Sequence, residues 1–199
     1  MPEVSVYHAS HGAAYEIFLG RWTKELAAQF LDFAAFPADG RPLLDVGTGT
    51  GSLAFAMAKR WTMRQVVGID IAAPYITHAR AQTKSSSPAF EIGDAAAIRK
   101  ADGLYSGAAA QLVLNFVPNA PAAVREMKRV TRPGGTVAAA VWDFRGGLVY
   151  QRMFWDTVGA STLKQPMRAI SFFPVRWRCR TVCPPCSGTL VWPASSAVR

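Results

Sequence analysis

The sequence has 199 residues, 50% of them hydrophobic and 18% charged, which suits one domain with an apolar core and leaves no room for two full domains. Its net charge of +9 is uneven, because residues 1–158 hold 16 Lys and Arg against 13 Asp and Glu, whereas residues 159–199 hold only basic charges. The nearly neutral body argues against a nucleic-acid partner. No apolar run approaches the ~20 residues of a membrane span and no secretion signal is recognised, so we expect a cytoplasmic protein without membrane insertion.

The predicted elements alternate between helices and strands along the chain. An amphipathic helix over His11–Phe36 comes first, with Ile17, Phe18 and Trp22 among the apolar positions at helical spacing. A buried strand over Pro42–Val46 then runs into a glycine-rich turn, Gly47–Gly51. The later elements are helix Ser52–Trp61, strand Gln65–Ile69, helix Pro74 to about Lys84, strand Ala89–Ile92, strand Ala108–Leu114, helix Pro121–Val130, strand Thr136–Trp142 and helix Leu148–Val158.

This alternation predicts an α/β fold with a mostly parallel sheet and helices on both faces. In such folds, ligands bind beyond the carboxyl ends of the strands. Functional residues are therefore expected where strands end, at the glycine turn, at Asp70, at Asp94 and at Gln111.

The glycine turn is the main chemical signal. Glycine accepts positive φ and has no Cβ, so a ligand can approach the backbone, and the following helix offers free N–H groups. Asp70 ends the next strand, where its carboxylate can accept hydrogen bonds from both ribose hydroxyls of a nucleoside cofactor. A dinucleotide fingerprint would have glycine where Ser52 stands, and a pyrophosphate would disfavour the negative charge of Asp45. The pattern favours S-adenosylmethionine (SAM), whose amino group suits that charge, over a nicotinamide cofactor.

Four motifs in order resemble those of class I SAM-dependent methyltransferases. Leu43–Ala54 resembles the first motif, Val66–Ile71 the acidic motif, Glu91–Ala95 the segment beside the adenine, and Arg129–Thr136 the late motif that leads into the fifth strand. Tyr15–Trp22 resembles the N-terminal helix of small-molecule methyltransferases similar to the ubiquinone/menaquinone-biosynthesis group. The resemblance covers about residues 12–158 and implies a Rossmann-like fold.

The resemblance also implies site roles. Asp45 and the turn at Gly47, Thr48, Gly49 and Gly51 would hold the methionine moiety. The other implied cofactor contacts are Asp70 to the ribose, Ile71 and Ala95 beside the adenine, Asp94 to its exocyclic amine, Gln111 at the methyl-donor pocket, and Tyr15 and Arg21 closing over the cofactor. The expected reaction moves a methyl group from SAM to a small organic acceptor.

Several choices stay open at this level. His8, His11, Asn115 and Asp143 are base candidates, and none is singled out as catalytic. Besides an active enzyme, the alternatives are a truncated SAM-binding homologue without activity and, with less support, a nucleotide-dependent oxidoreductase. Family members continue past the fifth strand with a helix and an antiparallel strand pair, so the completeness of the C-terminal strands stays open. The acceptor and the oligomeric state are not predicted.

The sequence changes character near residue 159. We divide the chain into a SAM-binding domain over residues 1–158 and an irregular basic tail over residues 159–199, rich in Pro, Arg, Trp and Cys. Translation out of frame and a disordered extension both explain such a tail. Its three cysteines lack a nearby histidine and form an incomplete zinc set, so no metal site is predicted.

Overall fold

Six strands form one sheet, in the spatial order β3-β2-β1-β4-β5-β6. The computed structural model describes residues 12–143, 149, 153, 154, 157 and 189–193. The strands are β1 (Leu43–Val46), β2 (Val66–Asp70), β3 (Ala89–Ile92), β4 (Tyr105–Gln111), β5 (Thr131–Ala140) and β6 (Thr189–Pro193). The first five run parallel, and β6 pairs antiparallel with β5. The predicted Rossmann-like α/β class is confirmed.

Helices cover both faces of the sheet. They are α1 (Gly12–Tyr15), α2 (Arg21–Ala34), α3 (Ser52–Arg60), α4 (Ala73–Gln82) and α5 (Ala120–Val130), with a π-helical turn over Glu16–Gly20 and a 3₁₀ turn over Leu114–Phe116. One apolar cluster joins α2, α3 and α4 to the sheet, and the other joins α5 to the opposite face. Neighbouring residues of β1 point to opposite faces, so Leu43 enters the first cluster and Leu44 the second.

The N-terminal helix differs from its prediction in two ways. It is divided into α1, the π-helical turn and α2, where the sequence predicts one continuous helix. Its later apolar positions pack as predicted, with Phe30 and Ala34 buried. Ile17, Phe18 and Trp22 stand at apolar positions of the predicted amphipathic helix, but these residues are 89%, 77% and 60% exposed. Periodicity gives the spacing of apolar residues and not which turns of the helix meet the sheet.

Two strands begin earlier than predicted. β4 starts at Tyr105, because its small residues form a buried strand without a strong hydrophobic signal. A Cβ added at Gly107 would lie 2.1 Å from the ring of Phe36, so the small residue allows close packing. β5 starts at Thr131 and passes through the predicted turn Arg132–Gly135 with a shift in register against β4. Both strands also end earlier than predicted, at Gln111 and Ala140.

The C-terminal part is described only in short pieces. Residues 189–193, within the predicted irregular tail, form β6 along Thr136–Ala140 of β5. Within the predicted helix Leu148–Val158, the described residues are Val149, Met153, Phe154 and Thr157, and all four are helical. The three cysteines lie outside the described residues.

The described part of the chain contains no helix that is long and apolar enough to cross a membrane. Over the same residues, no group of three or more His, Cys, Asp or Glu side chains has the arrangement of a metal site.

Candidate functional site

The glycine turn lies at the carboxyl end of β1, in the middle of the sheet. Gly47, Gly49 and Gly51 have φ values of +68°, +55° and +95°, a backbone conformation that side chains with a Cβ rarely adopt. A Cβ at Gly47 would lie 2.3 Å from the side chain of Val113, whereas a Cβ at Gly49 would meet no atom within 4 Å. Gly47 is therefore required for packing, and Gly49 borders open space.

Asp45 is the most buried carboxyl of the described site, with 1% of the residue exposed. Thr48 Oγ1 donates a hydrogen bond of 2.6 Å to Asp45 Oδ2, and Asp45 Oδ1 has no partner. Burial raises the pKa of Asp45 to about 7, and the charge of Asp70 adds to this increase, while hydrogen bonds from Thr48 and the Ala54 backbone oppose it. A buried, unpaired carboxyl oxygen is unfavourable unless a ligand donates to it.

Asp70 connects the end of β2 to the glycine turn. Its Oδ2 accepts a hydrogen bond of 2.8 Å from the Gly49 N–H, and its Oδ1 accepts one of 2.8 Å from the Ala72 N–H. Burial raises the pKa of Asp70 above its usual value, although backbone N–H groups that bond to the ionised form oppose the increase. Each carboxylate oxygen can accept a second hydrogen bond, so Asp70 can still accept from a ligand. The next residue, Ile71, is 72% exposed.

The loop after β3 approaches Asp70 through the backbone. The Gly93 N–H donates a hydrogen bond of 3.0 Å to the Asp70 carbonyl. Asp94 follows, and its Oδ1 accepts a hydrogen bond of 2.8 Å from the Ala96 N–H, which fixes the local turn. Ala95 is half-buried in this turn. The predicted adenine-side residues therefore lie at the same edge of the sheet as Asp70.

Gln111 ends β4 and contacts the N-terminal helix. Its Nε2 donates a hydrogen bond of 2.9 Å to the Thr23 carbonyl, whereas its Oε1 is buried without a partner. Leu112 follows with φ +60°, an uncommon conformation for a residue with a Cβ. The Thr23 and Ser52 hydroxyl oxygens are 3.0 Å apart, which links the same helix to the start of α3.

Tyr15 and Arg21 occupy different surroundings. The Tyr15 ring lies 5.2 Å from the ring of Tyr75, so it packs on α4, the helix that follows β2 and Asp70. The Arg21 side chain is 79% exposed, lies over the Trp22 ring and pairs with Glu25 at 3.3 Å. The structure thus places Arg21 on the outer surface of α2, and its role toward a cofactor remains a prediction.

Two of the four candidate bases, Asn115 and Asp143, lie among the described residues, after β4 and β5. Asn115 and Trp142 exchange two hydrogen bonds, in which the Trp142 N–H donates to Oδ1 at 2.8 Å and Nδ2 donates to the carbonyl at 3.4 Å. This exchange gives Asn115 a structural task at the end of β5. Asp143 is half-buried at the end of the same segment, while His8 and His11 lie outside the described residues.

Sequence reasoning missed one residue that contacts the turn. The Thr50 Oγ1 hydroxyl donates a hydrogen bond of 2.6 Å to Glu16 Oε1, and Lys24 Nζ donates to Glu16 Oε2 at 2.5 Å. Burial raises the pKa of Glu16, but the hydrogen bonds from Lys24 and Thr50, together with the charges of Lys24 and His78, outweigh burial and leave the pKa below its usual value. Glu16 and Thr50 are 34 residues apart, so no local motif could have connected them.

Over about half of its length, the chain is similar to known methyltransferases. Residues 44–139 match the family described as a methyltransferase domain. The chain is 33% identical over 103 residues to malonyl-[acyl-carrier protein] O-methyltransferase of Xylella fastidiosa, covering 51% of this chain and 35% of the relative. It is 36% identical over 105 residues to demethylmenaquinone methyltransferase of Roseiflexus castenholzii, covering 53% of this chain and 44% of the relative. The chain thus spans less than half the length of these two relatives.

A solved structure agrees at the level of the fold. A chain in the complex of the Haloferax volcanii Trm112 methyltransferase activator with a methyltransferase superposes with a TM-score of 0.58 and 18% identity. The superposition covers 76% of this chain and 68% of that one.

Proposed function

We propose that this chain is a class I SAM-dependent methyltransferase, because residues 44–139 match a methyltransferase domain, and that its glycine-turn site binds SAM and transfers the methyl group to a small organic acceptor. The single observation that supports this proposal best is the arrangement of Asp45 and Asp70 around Gly49. Asp45 Oδ1 is buried without a hydrogen-bond partner, and the Asp70 carboxylate can accept further hydrogen bonds. Gly49 borders open space beside Asp70.

These residues fit the chemistry of SAM. The unpaired Oδ1 of Asp45 suits a ligand ammonium group, and a positive charge there would offset the cost of keeping the carboxylate ionised. Asp70 suits two ribose hydroxyls, since it can accept further hydrogen bonds beside those from the backbone. The exposed Ile71 offers an apolar surface for a nucleobase. Asp94, Ala95, Gln111 and Tyr15 are proposed as further cofactor contacts.

The protein's own contribution would be positioning. Bound SAM supplies a methyl group on a positively charged sulfur, which is already a good electrophile. The chain then has to hold donor and acceptor in line and exclude water, and the turn, β2 and β4 supply fixed groups for this purpose. A base is needed only where the acceptor must lose a proton, and we assign no residue to that step.

The two relatives support the acceptor class. Their names specify a quinone precursor and a malonyl group carried on a protein, and we propose a small organic acceptor for this chain also. The proposal includes a cytoplasmic location, as expected from the sequence, and no nucleic-acid partner, because residues 1–158 are nearly neutral.

Calorimetry with SAM and, separately, with NAD tests the proposal. Wild type should bind SAM and give no response to NAD. Asp70→Ala should weaken SAM binding about ten- to a hundredfold, since hydrogen bonds to charged groups contribute about 1.5–3 kcal/mol. Asp32→Ala is the matched control, because Asp32 forms an exposed ion pair with Arg60 on the helical surface. An acceptor screen with methyl-labelled SAM then separates an active enzyme from a binding protein. NAD binding, or SAM affinity unchanged by Asp70→Ala, would contradict the proposal.

A further inference from the structure

The N-terminal segment over residues 12–20 connects the glycine turn with α4. Its first part packs on α4, since a Cβ added at Gly12 would lie 2.6 Å from the His78 side chain and the Tyr15 ring lies 5.2 Å from that of Tyr75. Its second part reaches the glycine turn through Glu16, which accepts the hydrogen bond from Thr50. The segment therefore bridges the two elements that follow β1 and β2.

The bond between Glu16 and Thr50 is charge-assisted and largely shielded from water. The Glu16 side chain is 17% exposed, and Thr50 is 3% exposed. The 2.6 Å distance between the two oxygen atoms is typical of a strong bond to an ionised acceptor. Lys24 of α2 contacts the other carboxylate oxygen, so its positive charge balances the charge of Glu16.

The backbone of the segment is shaped around this carboxylate. Glu16–Gly20 is a π-helical turn, a rare form that is found frequently at functional sites. A Cβ at Gly20 would lie 2.5 Å from Glu16 Oε2, so the glycine leaves the space that the carboxylate occupies. Gly20 also accepts, at its carbonyl, a hydrogen bond of 3.1 Å from Thr23 Oγ1, which fixes the start of α2.

We propose that Glu16 is a positioning residue that holds residues 12–20 against the glycine turn and thereby fixes the turn in the form that binds SAM. This inference rests on the proposed function of the same site. Thr50 lies directly after Gly49, whose N–H is bonded to Asp70, so two neighbouring residues of the turn are bonded to two different segments, β2 and the N-terminal segment. Loss of one of these hydrogen bonds makes the turn more flexible, and SAM binding then has to overcome the additional conformational entropy.

The test is the dissociation constant for SAM in a set of full-length variants. Glu16→Ala and Thr50→Val should each weaken binding about tenfold, the effect of losing one charge-assisted hydrogen bond. The double variant should be no weaker than either single variant, because both remove the same bond. Glu16→Gln keeps an oxygen that accepts from Thr50, so it should restore most of the affinity. Glu25→Gln is the control, as Glu25 pairs with the exposed Arg21.

A second measurement follows the segment itself. Amide hydrogen exchange of residues 12–20 should become faster in Glu16→Ala, with residues 21–34 of α2 unchanged. The melting temperature of each variant identifies a variant that fails to fold. If Glu16→Gln folds but fails to restore the affinity that Ala loses, Glu16 acts through its charge and not by holding the glycine turn, and this result would overturn the inference. A role in stability alone predicts a lower melting temperature in Glu16→Ala with no change in the SAM dissociation constant, which would overturn it as well.

The outcomes separate this inference from the proposed function. Wild type that binds SAM, together with Glu16→Ala and Thr50→Val at wild-type affinity, overturns the inference and leaves the proposed function standing. Additive losses in the double variant also overturn the inference. Wild type that does not bind SAM refutes the proposed function and, with it, the inference.

Discussion

Replacing Asp45 by Asn is expected to stabilise the ligand-free protein above neutral pH and to weaken SAM binding. Asp45 is 1% exposed, and one of its carboxyl oxygens has no partner. Burial raises its pKa from 3.8 to about 7, so the folded protein resists the ionised form. Since one pKa unit corresponds to about 1.4 kcal/mol, an increase from 3.8 to about 7 means that the ionised carboxylate lowers the free energy of unfolding by about 4 kcal/mol at pH 8. Asn carries no charge and avoids that cost.

The direction in which the free energy of unfolding changes with pH follows from the protons bound to Asp45 in the folded and unfolded states. Between pH 4 and 7 the folded state keeps a proton on Asp45 that the unfolded state has lost, so the free energy of unfolding falls as the pH rises. The stability that the protonated carboxyl contributes is fully present below pH 3.8 and is lost as the pH rises through about 7. The stability of Asp45→Asn relative to wild type should therefore grow over this interval and level off above it.

Urea unfolding of both proteins at pH 5, 6, 7 and 8 measures this difference, and Asp32→Asn at an exposed position is the control. SAM titration of the same proteins should give an affinity that rises from pH 5 to pH 8 for wild type and stays low and flat for Asp45→Asn, because only the carboxylate attracts the ligand ammonium. A stability difference that is constant with pH, or a variant less stable than wild type at pH 8, would refute the reasoning.

Three further substitutions separate packing from binding. Gly47→Ala should lower the free energy of unfolding by about 2–3 kcal/mol, since its Cβ would lie 2.3 Å from Val113 at a positive φ; unchanged stability in urea unfolding would contradict this. Gly49→Ala should lower the free energy of unfolding by only ~1–2 kcal/mol, because its φ is +55° and its Cβ would meet no atom. The same Cβ would enter the open space proposed for SAM and should reduce SAM affinity at least tenfold, so calorimetry that finds full affinity would contradict this position of the site. Arg64→Ala should lower the free energy of unfolding by about 3 kcal/mol, because Arg64 is 6% exposed and its removal leaves two backbone carbonyls without their donor. The SAM dissociation constant should stay unchanged, and a loss of affinity in the folded variant would contradict a purely structural role for Arg64.

The order of elements could be predicted because its signals are local. β1, β2 and β3 were predicted to within one residue at each end, since short runs of branched apolar residues lie between turn residues. β4 and β5 were predicted less well, because small residues such as Ser106 and Gly107 have little hydrophobic signal, and Gly107 joins the strand through packing against Phe36 and pairing with β1.

Some residues of the candidate site could be predicted from local sequence, and others could not. Asp70 and Asp94 could be placed at one edge of the sheet, because residues after parallel strands meet there. The exposed ion pair of Arg21 and the contact of Glu16 with Thr50 could not be predicted, since the choice of which helical face meets the glycine turn depends on packing between distant segments.

The α/β class, the position of the glycine turn and the acidic residue after the second strand follow from local sequence patterns, because periodicity and turn chemistry act within a few residues along the chain. Three further properties came from the folded structure: which carboxyl oxygen has no partner, which glycine borders open space and which side chain of the N-terminal segment reaches the turn. These properties depend on burial and on contacts between residues far apart in sequence, and no local pattern records them.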